Sequence, residues 1–95
     1  MLVLPDVLNL TNARACLRAL TGALAQEAAD VVVDAGSLKQ FDSAALAVLL
    51  ELRRQTLQMG KVFAVQDQPM HLSDLARLYG IADLLPDARG AAPVK

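Results

Sequence analysis

The side chains that could carry out chemistry in this sequence are few and scattered. The only histidine, His71, has no Ser or Cys nucleophile pattern near it, and a single cysteine, Cys16, excludes an internal disulfide or a multi-thiolate metal site. Asp30, Asp34 and Asp67 flank predicted strands, where carboxylates are common, and do not define a set of metal ligands. No Gly-rich phosphate loop is present. The sequence therefore predicts no catalysis, no metal site and no cofactor.

The segment with the clearest functional potential is FDSAAL, residues 41–46, which lies where a loop enters a predicted helix. Free backbone N–H groups and the positive end of the helix dipole meet at such a position. The oxygens of Asp42 and Ser43 are therefore favoured as helix caps, and an external anion could also bind here. Capping alone explains this pair, so a structural role and a functional role both stay open.

The helix predicted over residues 43–59 has more apolar surface than one contact with a sheet requires. At about 100° per residue, its sheet-facing stripe consists of Ala45, Val48, Leu49, Leu52, Thr56 and Met59. A second stripe, turned by roughly 120°, consists of Leu46, Leu50 and Leu57. Either a neighbouring helix of the same domain or a partner protein covers this second stripe, and self-association through it is a further option.

The third face of this helix is small at its beginning and polar beyond. Its residues are Ala44, Ala47, Glu51, Arg54, Gln55 and Gln58. Small side chains allow the backbone of another protein to approach closely. The outer start of the helix is therefore a candidate docking surface.

Apolar runs predict the strands around this helix. The runs are residues 2–4, 31–33 and 62–65, and the last two are expected to be central strands covered on both faces. Further helices are predicted over residues 12–26 and after Pro69.

These elements predict an α/β fold, with a mixed sheet of about four strands packed with about four helices. The expected domain spans residues 1–85, and the proline-containing residues 86–95 are expected to form a flexible tail.

Composition excludes several classes of function. Nine Lys plus Arg against ten Asp plus Glu give a formal charge of −1, which lacks the basic excess needed to bind nucleic acid. No apolar run approaches the ~18 residues of a membrane span, so direct membrane insertion is not expected. We expect a soluble cytoplasmic protein.

The order of these segments resembles the STAS domain family, over most of the chain. The resemblance rests on the valine strand, FDSAAL at 41–46, a Leu-rich helix ending at Gly60, the strand 62–65 and LSDLARLYGI at 72–81. The ending looks most like the lipid-asymmetry (MlaB-like) branch. That branch implies a STAS-like domain docked on the ATPase of a phospholipid-transport ABC complex and, through it, on a membrane permease. The implied location is cytoplasmic and peripheral to the inner membrane.

The resemblance also implies roles for individual residues. The family's pattern of Asp, hydroxyl, small, Gly and Leu falls on Asp42, Ser43, Ala44, Ala45 and Leu46. In phosphoswitch antagonists the small position is a phosphorylated serine, whereas Ala44 has no oxygen. Ser43 matches the hydroxyl position, which in the transport branch contacts the ATPase, and it is the possible phosphoacceptor. The expected partner-binding residues are Asp42, Ser43, Ala44, Ala47, Glu51, Arg54 and Thr11.

Thr11 has two interpretations, because it lies before the first predicted helix. It is a candidate N-cap, and it could instead form a surface beside Ser43.

Two other functions of the protein also stay open. One is an anti-sigma-factor antagonist that binds a serine kinase through the same surface. The other is a small nucleotide-binding or hydrolytic protein that holds phosphate at the start of the helix predicted over residues 43–59.

Overall fold

A computed structural model describes residues 1–88 of the chain. The elements in chain order are β1 (Leu2–Val3), β2 (Val7–Leu8), α1 (Ala13–Leu24), β3 (Asp30–Asp34), β4 (Gln40–Phe41), α2 (Ala44–Gln58), β5 (Val62–Gln66), α3 (Met70–Leu78) and a 3-10 turn, Ala82–Leu84. This architecture confirms the predicted α/β class. The helices predicted over residues 12–26 and 43–59 form within two residues of their expected ends, and the third helix begins directly after Pro69, as predicted.

Two small sheets replace the expected mixed sheet. The main sheet has the order β1-β3-β5, and β2 pairs with β4 in a second sheet. Every pairing between these named strands is parallel. The longest register joins Asp30 to Val62 and continues to Asp34 opposite Gln66. A helical crossover between β3 and β5 makes this direction possible, because parallel neighbours need a long connection.

The main sheet is buried on one face only. Alternate strand residues point to opposite faces. The inner face, which is buried under the helices, consists of Leu2, Val31, Val33, Phe63 and Val65. The outer face consists of Val3, Asp30, Val32, Asp34, Val62, Ala64 and Gln66, all half-buried or exposed. The prediction that β3 and β5 are covered on both faces is therefore wrong within residues 1–88.

Helix α2 supplies the largest part of the core. Its predicted sheet-facing stripe is buried from Ala45 to Thr56, whereas Met59, just beyond the last helical residue, is exposed. The buried Thr56 hydroxyl donates a hydrogen bond of 2.7 Å to the Leu52 carbonyl oxygen one turn earlier. Among residues 1–88, Thr56 is the one fully buried polar side chain, and this local bond satisfies it.

The second stripe of α2 divides along its length. Leu46 is buried in the core, Leu50 is partly buried against it and Leu57 is exposed. Helix α1 packs along a different flank of α2, beside Ala44, Ala47 and Gln55. The domain itself therefore covers Leu46 within residues 1–88, whereas coverage of Leu57 by a partner stays a prediction.

Glycines end the two later helices as the sequence predicts. Gly60 and Gly80 have φ values of +74° and +72°, a left-handed conformation in which a side chain would be strained. The chain then turns toward β5 after α2 and toward the 3-10 turn after α3.

Ordered pairing continues past residue 85, the expected end of the domain. The Val65 N–H donates to the Pro86 carbonyl oxygen at 2.8 Å, and the Ala88 N–H donates to the Val65 carbonyl oxygen at 2.9 Å. Residues 86–88 therefore extend the edge of β5. The rest of the expected flexible tail, residues 89–95, lies outside the described residues.

Across residues 1–88, none of the helices combines the length and the hydropathy that crossing a bilayer demands.

Lys61 joins the end of α1 to the start of β5. Its Nζ donates to the Glu27 carbonyl oxygen at 2.7 Å and to that of Leu24 at 3.2 Å, at the C-terminal end of α1. The Leu24 carbonyl oxygen also accepts a hydrogen bond of 3.1 Å from the Glu27 N–H. We expect Lys61→Met to lower the free energy of unfolding by about 1–2 kcal/mol, because a charged donor is lost at a helix C-terminus. Urea denaturation followed by circular dichroism measures this difference. The control is Lys39→Met at an exposed position, and equal losses for both variants would contradict the role of Lys61.

Candidate functional site

The carboxylate of Asp42 joins the beginnings of the two main helices. Asp42 lies between β4 and α2. Its Oδ1 accepts a hydrogen bond of 2.8 Å from the Ala44 N–H, and its Oδ2 accepts one of 3.2 Å from the Leu10 N–H. One side chain therefore caps α2 and holds the turn that precedes α1. The sequence predicts the capping half of this role, but only the fold brings Leu10 to the same carboxylate.

The turn before α1 is held by two asparagines. Asn12 Oδ1 accepts a hydrogen bond from the Asn9 N–H at 2.8 Å, and Asn12 Nδ2 donates to the Val7 carbonyl oxygen at 2.7 Å. Asn9 Oδ1 in turn accepts from the Thr11 N–H at 2.9 Å. Asn12 therefore occupies the N-cap position of α1, and the interpretation of Thr11 as the cap is wrong. Thr11 is exposed next to Leu10.

An open groove with a volume of about 590 Å³ lies between the beginnings of α1 and α2. We call it the α1–α2 groove, and it is lined by Leu10, Ala13, Arg14, Leu17, Asp42, Ser43, Ala44, Ala47 and Val48. Most of these side chains are apolar. Leu10 is 82% exposed at the edge of the groove. Its backbone is held in place, because its own N–H donates to Asp42 Oδ2 and the next N–H, that of Thr11, donates to Asn9 Oδ1.

Four of the seven expected partner-binding residues line the groove: Asp42, Ser43, Ala44 and Ala47. Thr11 neighbours Leu10 in the turn but is not part of the lining, and Glu51 and Arg54 lie further along α2. The residues that sequence reasoning missed are Leu10, Arg14 and Leu17. A signal for Leu10 was available, because it is apolar yet outside the α1 stripe that begins at Ala13.

Ser43 presents an exposed hydroxyl at the start of α2. The hydroxyl makes no hydrogen bond to any residue that the structure describes, although Ser43 is in the N-cap position. Its backbone carbonyl oxygen accepts hydrogen bonds from Leu46 and Ala47. The side chain is therefore free to contact another molecule.

The backbone N–H groups at this helix start are already bonded. The Ala44 N–H donates to Asp42 Oδ1, and the Ala45 N–H donates to the Asp42 carbonyl oxygen at 3.0 Å. An anion would compete with these bonds and would also approach the Asp42 carboxylate. The geometry therefore disfavours a phosphate group at this site.

The charged end of the α2 face is internally paired. Glu51 accepts hydrogen bonds from Arg54 Nε at 2.9 Å and from Gln55 Nε2 at 2.9 Å. The hydrogen bond from Arg54 lowers the pKa of Glu51 to about 2, and Gln55 contributes in the same direction. Any stability from this ionised state is present above the ordinary pKa of 4.5 and is lost as the pH falls toward about 2. The pair therefore stays charged throughout the physiological range.

Two arginines on α1 remain unpaired near the groove. Arg14 lines it, and Arg18 lies one turn further along, beside a second shallow depression that includes Gln55. Neither arginine forms an ion pair or a hydrogen bond with residues 1–88. This side of the groove therefore carries positive charge that a partner carboxylate could neutralise.

The potentially reactive side chains of His71 and Cys16 do not form a catalytic site among residues 1–88. His71 is exposed at the start of α3, and burial raises the pKa of the half-buried Cys16 thiol, which keeps it protonated and weakly nucleophilic. Among residues 1–88, no group of three His, Cys, Asp or Glu side chains is placed to hold a metal ion.

The fold and the groove together define a small α/β domain with a one-sided parallel sheet and an open surface at two helix starts. The chain belongs to the STAS domain family, because the family described as "Mlab, STAS domain" matches residues 1–86. No curated protein sequence matches it.

Solved structures support the same fold. The chain is similar to a protein described as an anti-sigma factor antagonist from Thermotoga maritima, with a TM-score of 0.76 and 16% identity over 90% of this chain and 75% of the other. It is also similar to an anti-sigma-factor antagonist (STAS) domain protein from Planctomyces limnophilus, with a TM-score of 0.75 and 16% identity over 90% of this chain and 77% of the other.

The double role of Asp42 can be tested by two substitutions. We expect Asp42→Ala to lower the free energy of unfolding by about 1–2 kcal/mol, because two backbone donors lose their acceptor. Asp42→Asn keeps one acceptor oxygen and should cost less. Urea denaturation measures the loss, and amide hydrogen exchange should accelerate at Leu10 as well as Ala44. Asp74→Ala is the control, because its exposed pair with Arg77 contributes little. Unchanged exchange at Leu10 would contradict the link between the two helices.

Proposed function

We propose that this chain is a non-catalytic STAS subunit that docks on the ATPase of a phospholipid-transport ABC complex and supports its assembly or activity. The observation that carries the proposal is the open, mostly apolar α1–α2 groove, with the unbonded Ser43 hydroxyl and the exposed Leu10 at its edge. The description of the matching family points in the same direction. ATP hydrolysis in such a complex belongs to the partner.

The groove has the mixture of features that a protein interface requires. Its apolar lining can be desolvated at little cost, and Ala44 and Ala47 let a partner backbone approach α2 closely. Ser43 supplies an exposed hydrogen-bonding group at the start of α2. Arg14 at the edge can pair with an acidic residue of the partner. Contact through a few such residues is typical of interfaces in which a small central cluster dominates the binding energy.

The proposal also assigns a location. As part of such a complex the chain works in the cytoplasm, held at the inner membrane through the ATPase and the permease. It makes no contact with nucleic acid and does not insert into the bilayer itself.

Co-purification with the ATPase subunit tests the docking surface. We expect Ala47→Arg to weaken capture at least tenfold, because a long charged side chain blocks the close approach at the centre of the surface. Ser43→Ala should weaken it about fivefold, which corresponds to one hydrogen bond of about 1 kcal/mol. The matched control is Gln26→Arg, an exposed position just beyond the C-terminal end of α1, away from the groove. Capture of Ala47→Arg at the level of this control would reject the groove as the docking site.

The second candidate function is that of an anti-sigma-factor antagonist. The exposed, unbonded Ser43 hydroxyl favours it, because a kinase could reach this oxygen. Ala44, at the usual phosphoserine position, weighs against it. A nucleotide-binding function has less support, since the first N–H groups of α2 are already bonded.

Mass spectrometry after incubation with an anti-sigma serine kinase and ATP separates the two leading functions. If the transport role is correct, we expect no phosphate on Ser43. Peptide mapping distinguishes Ser43 from the other serines, Ser37 and Ser73, and Ser43→Ala is the control. Stoichiometric phosphate on Ser43 would favour the antagonist instead.

A further inference from the structure

No helix lies over the outer face of the main sheet within residues 1–88, although its central residues, Val32 and Ala64, are apolar and only half-buried. The Met1 side chain reaches across this face, where its Sδ lies 3.7 Å from Gln66 Nε2. Val3 and Val62 are 54% and 60% exposed, and Val32 and Ala64 lie side by side between them in the strand register. Parallel sheets are normally covered on both faces, because the helical crossovers place apolar strands inside the protein. The consecutive valines of β3 are typical of a strand with two covered faces, and here only one is covered within residues 1–88.

The charges on this face have one sign. Asp30 and Asp34 lie at the two ends of β3 and point to the outer face with Val32. The strands β1, β3 and β5 carry no Lys or Arg. The nearest cation along β5 is Lys61, whose Nζ is bound to the carbonyls at the end of α1. The face is therefore an apolar centre with a carboxylate at each end. That of Asp30 is exposed, and that of Asp34 is half-buried and accepts a hydrogen bond of 2.8 Å from the Gly36 N–H through its Oδ1.

We infer that the outer face binds an amphipathic helix of a partner protein, with apolar side chains at its centre and Lys or Arg near both ends. Adding a helix to this face gives the sheet the second helical layer that parallel sheets ordinarily have. The two carboxylates of β3 select basic over acidic ends, because surface charges mainly determine which partner binds and in what orientation. A second copy of this chain would instead bring four carboxylates together without a cation on the strands.

The distance between Asp30 and Asp34 determines how far apart the basic residues of the partner helix must be. Asp30 and Asp34 are four residues apart, or about 13 Å along an extended strand. A helix rises about 1.5 Å per residue, so basic residues about eight positions apart would reach both carboxylates. This surface is separate from the α1–α2 groove, and both can be occupied at once.

Nuclear magnetic resonance of the full chain with two synthetic helices of about 15 residues tests the inference. Both peptides have a leucine stripe, and one has Lys and the other Glu at two positions about eight apart. We expect the Lys peptide to shift the amides of β1, β3 and β5 and to bind about tenfold more tightly than the Glu peptide. The preference should weaken with added salt. Equal affinities, or shifts confined to the α1–α2 groove, would overturn the inference.

Two variants locate the binding on the face. Val32→Lys places a cation in the apolar centre and should weaken the Lys peptide at least tenfold, whereas Gln26→Lys adds the same charge at an exposed position elsewhere and should not. Asp30→Lys should shift the preference toward the Glu peptide. Because Asp30 is exposed, this variant is informative even if Val32→Lys fails to fold. No effect of Asp30→Lys, or a dimer in sedimentation that Val32→Lys abolishes, would assign the face to another occupant.

Discussion

The burial of α2 against the inner face of the main sheet is the interaction on which the other features depend. Leu49 and Leu52 are completely buried there, and each such side chain contributes roughly 1.5–3 kcal/mol. This contact fixes the rotation of the helix. Once the rotation is fixed, Ala47 and Arg54 must point away from the sheet, and the start of the helix must lie beside the turn that precedes α1.

Asp42 holds the start of α2 next to the turn before α1 and so defines the surface between the two helices. Its two carboxylate oxygens accept hydrogen bonds from the backbone N–H groups of Leu10 and Ala44, which lie 34 positions apart in the chain. The groove between α1 and α2 therefore has a fixed edge, although its lining comes from separate elements. The same capping bonds use the N–H groups that would otherwise attract an anion, so one residue both shapes the surface and limits what can bind there.

The two faces of the main sheet give the domain two different surfaces. The helices cover the inner face and create the α1–α2 groove at their N-terminal ends. The outer face retains valines between carboxylates, with no helix over it among residues 1–88. The two surfaces therefore lie on different sides of the domain and differ in their residues.

The sequence by itself determined the three helices, the strands β1, β3 and β5, and the position at which α2 begins. The small sheet of β2 and β4 was not predicted. Period-of-three-and-four patterns predict α1 and α2, the valine runs predict β3 and β5, and Gly60 and Gly80 end their helices because each adopts a positive φ. These features are local, so local residue patterns suffice to predict them. Tertiary structure alone decided that Leu46 is buried while Leu57 is exposed, and that Leu10 and Arg14 join Ser43 at one groove. It also decided that β3 has an uncovered face, because coverage depends on where distant helices pack and not on the strand's own residues.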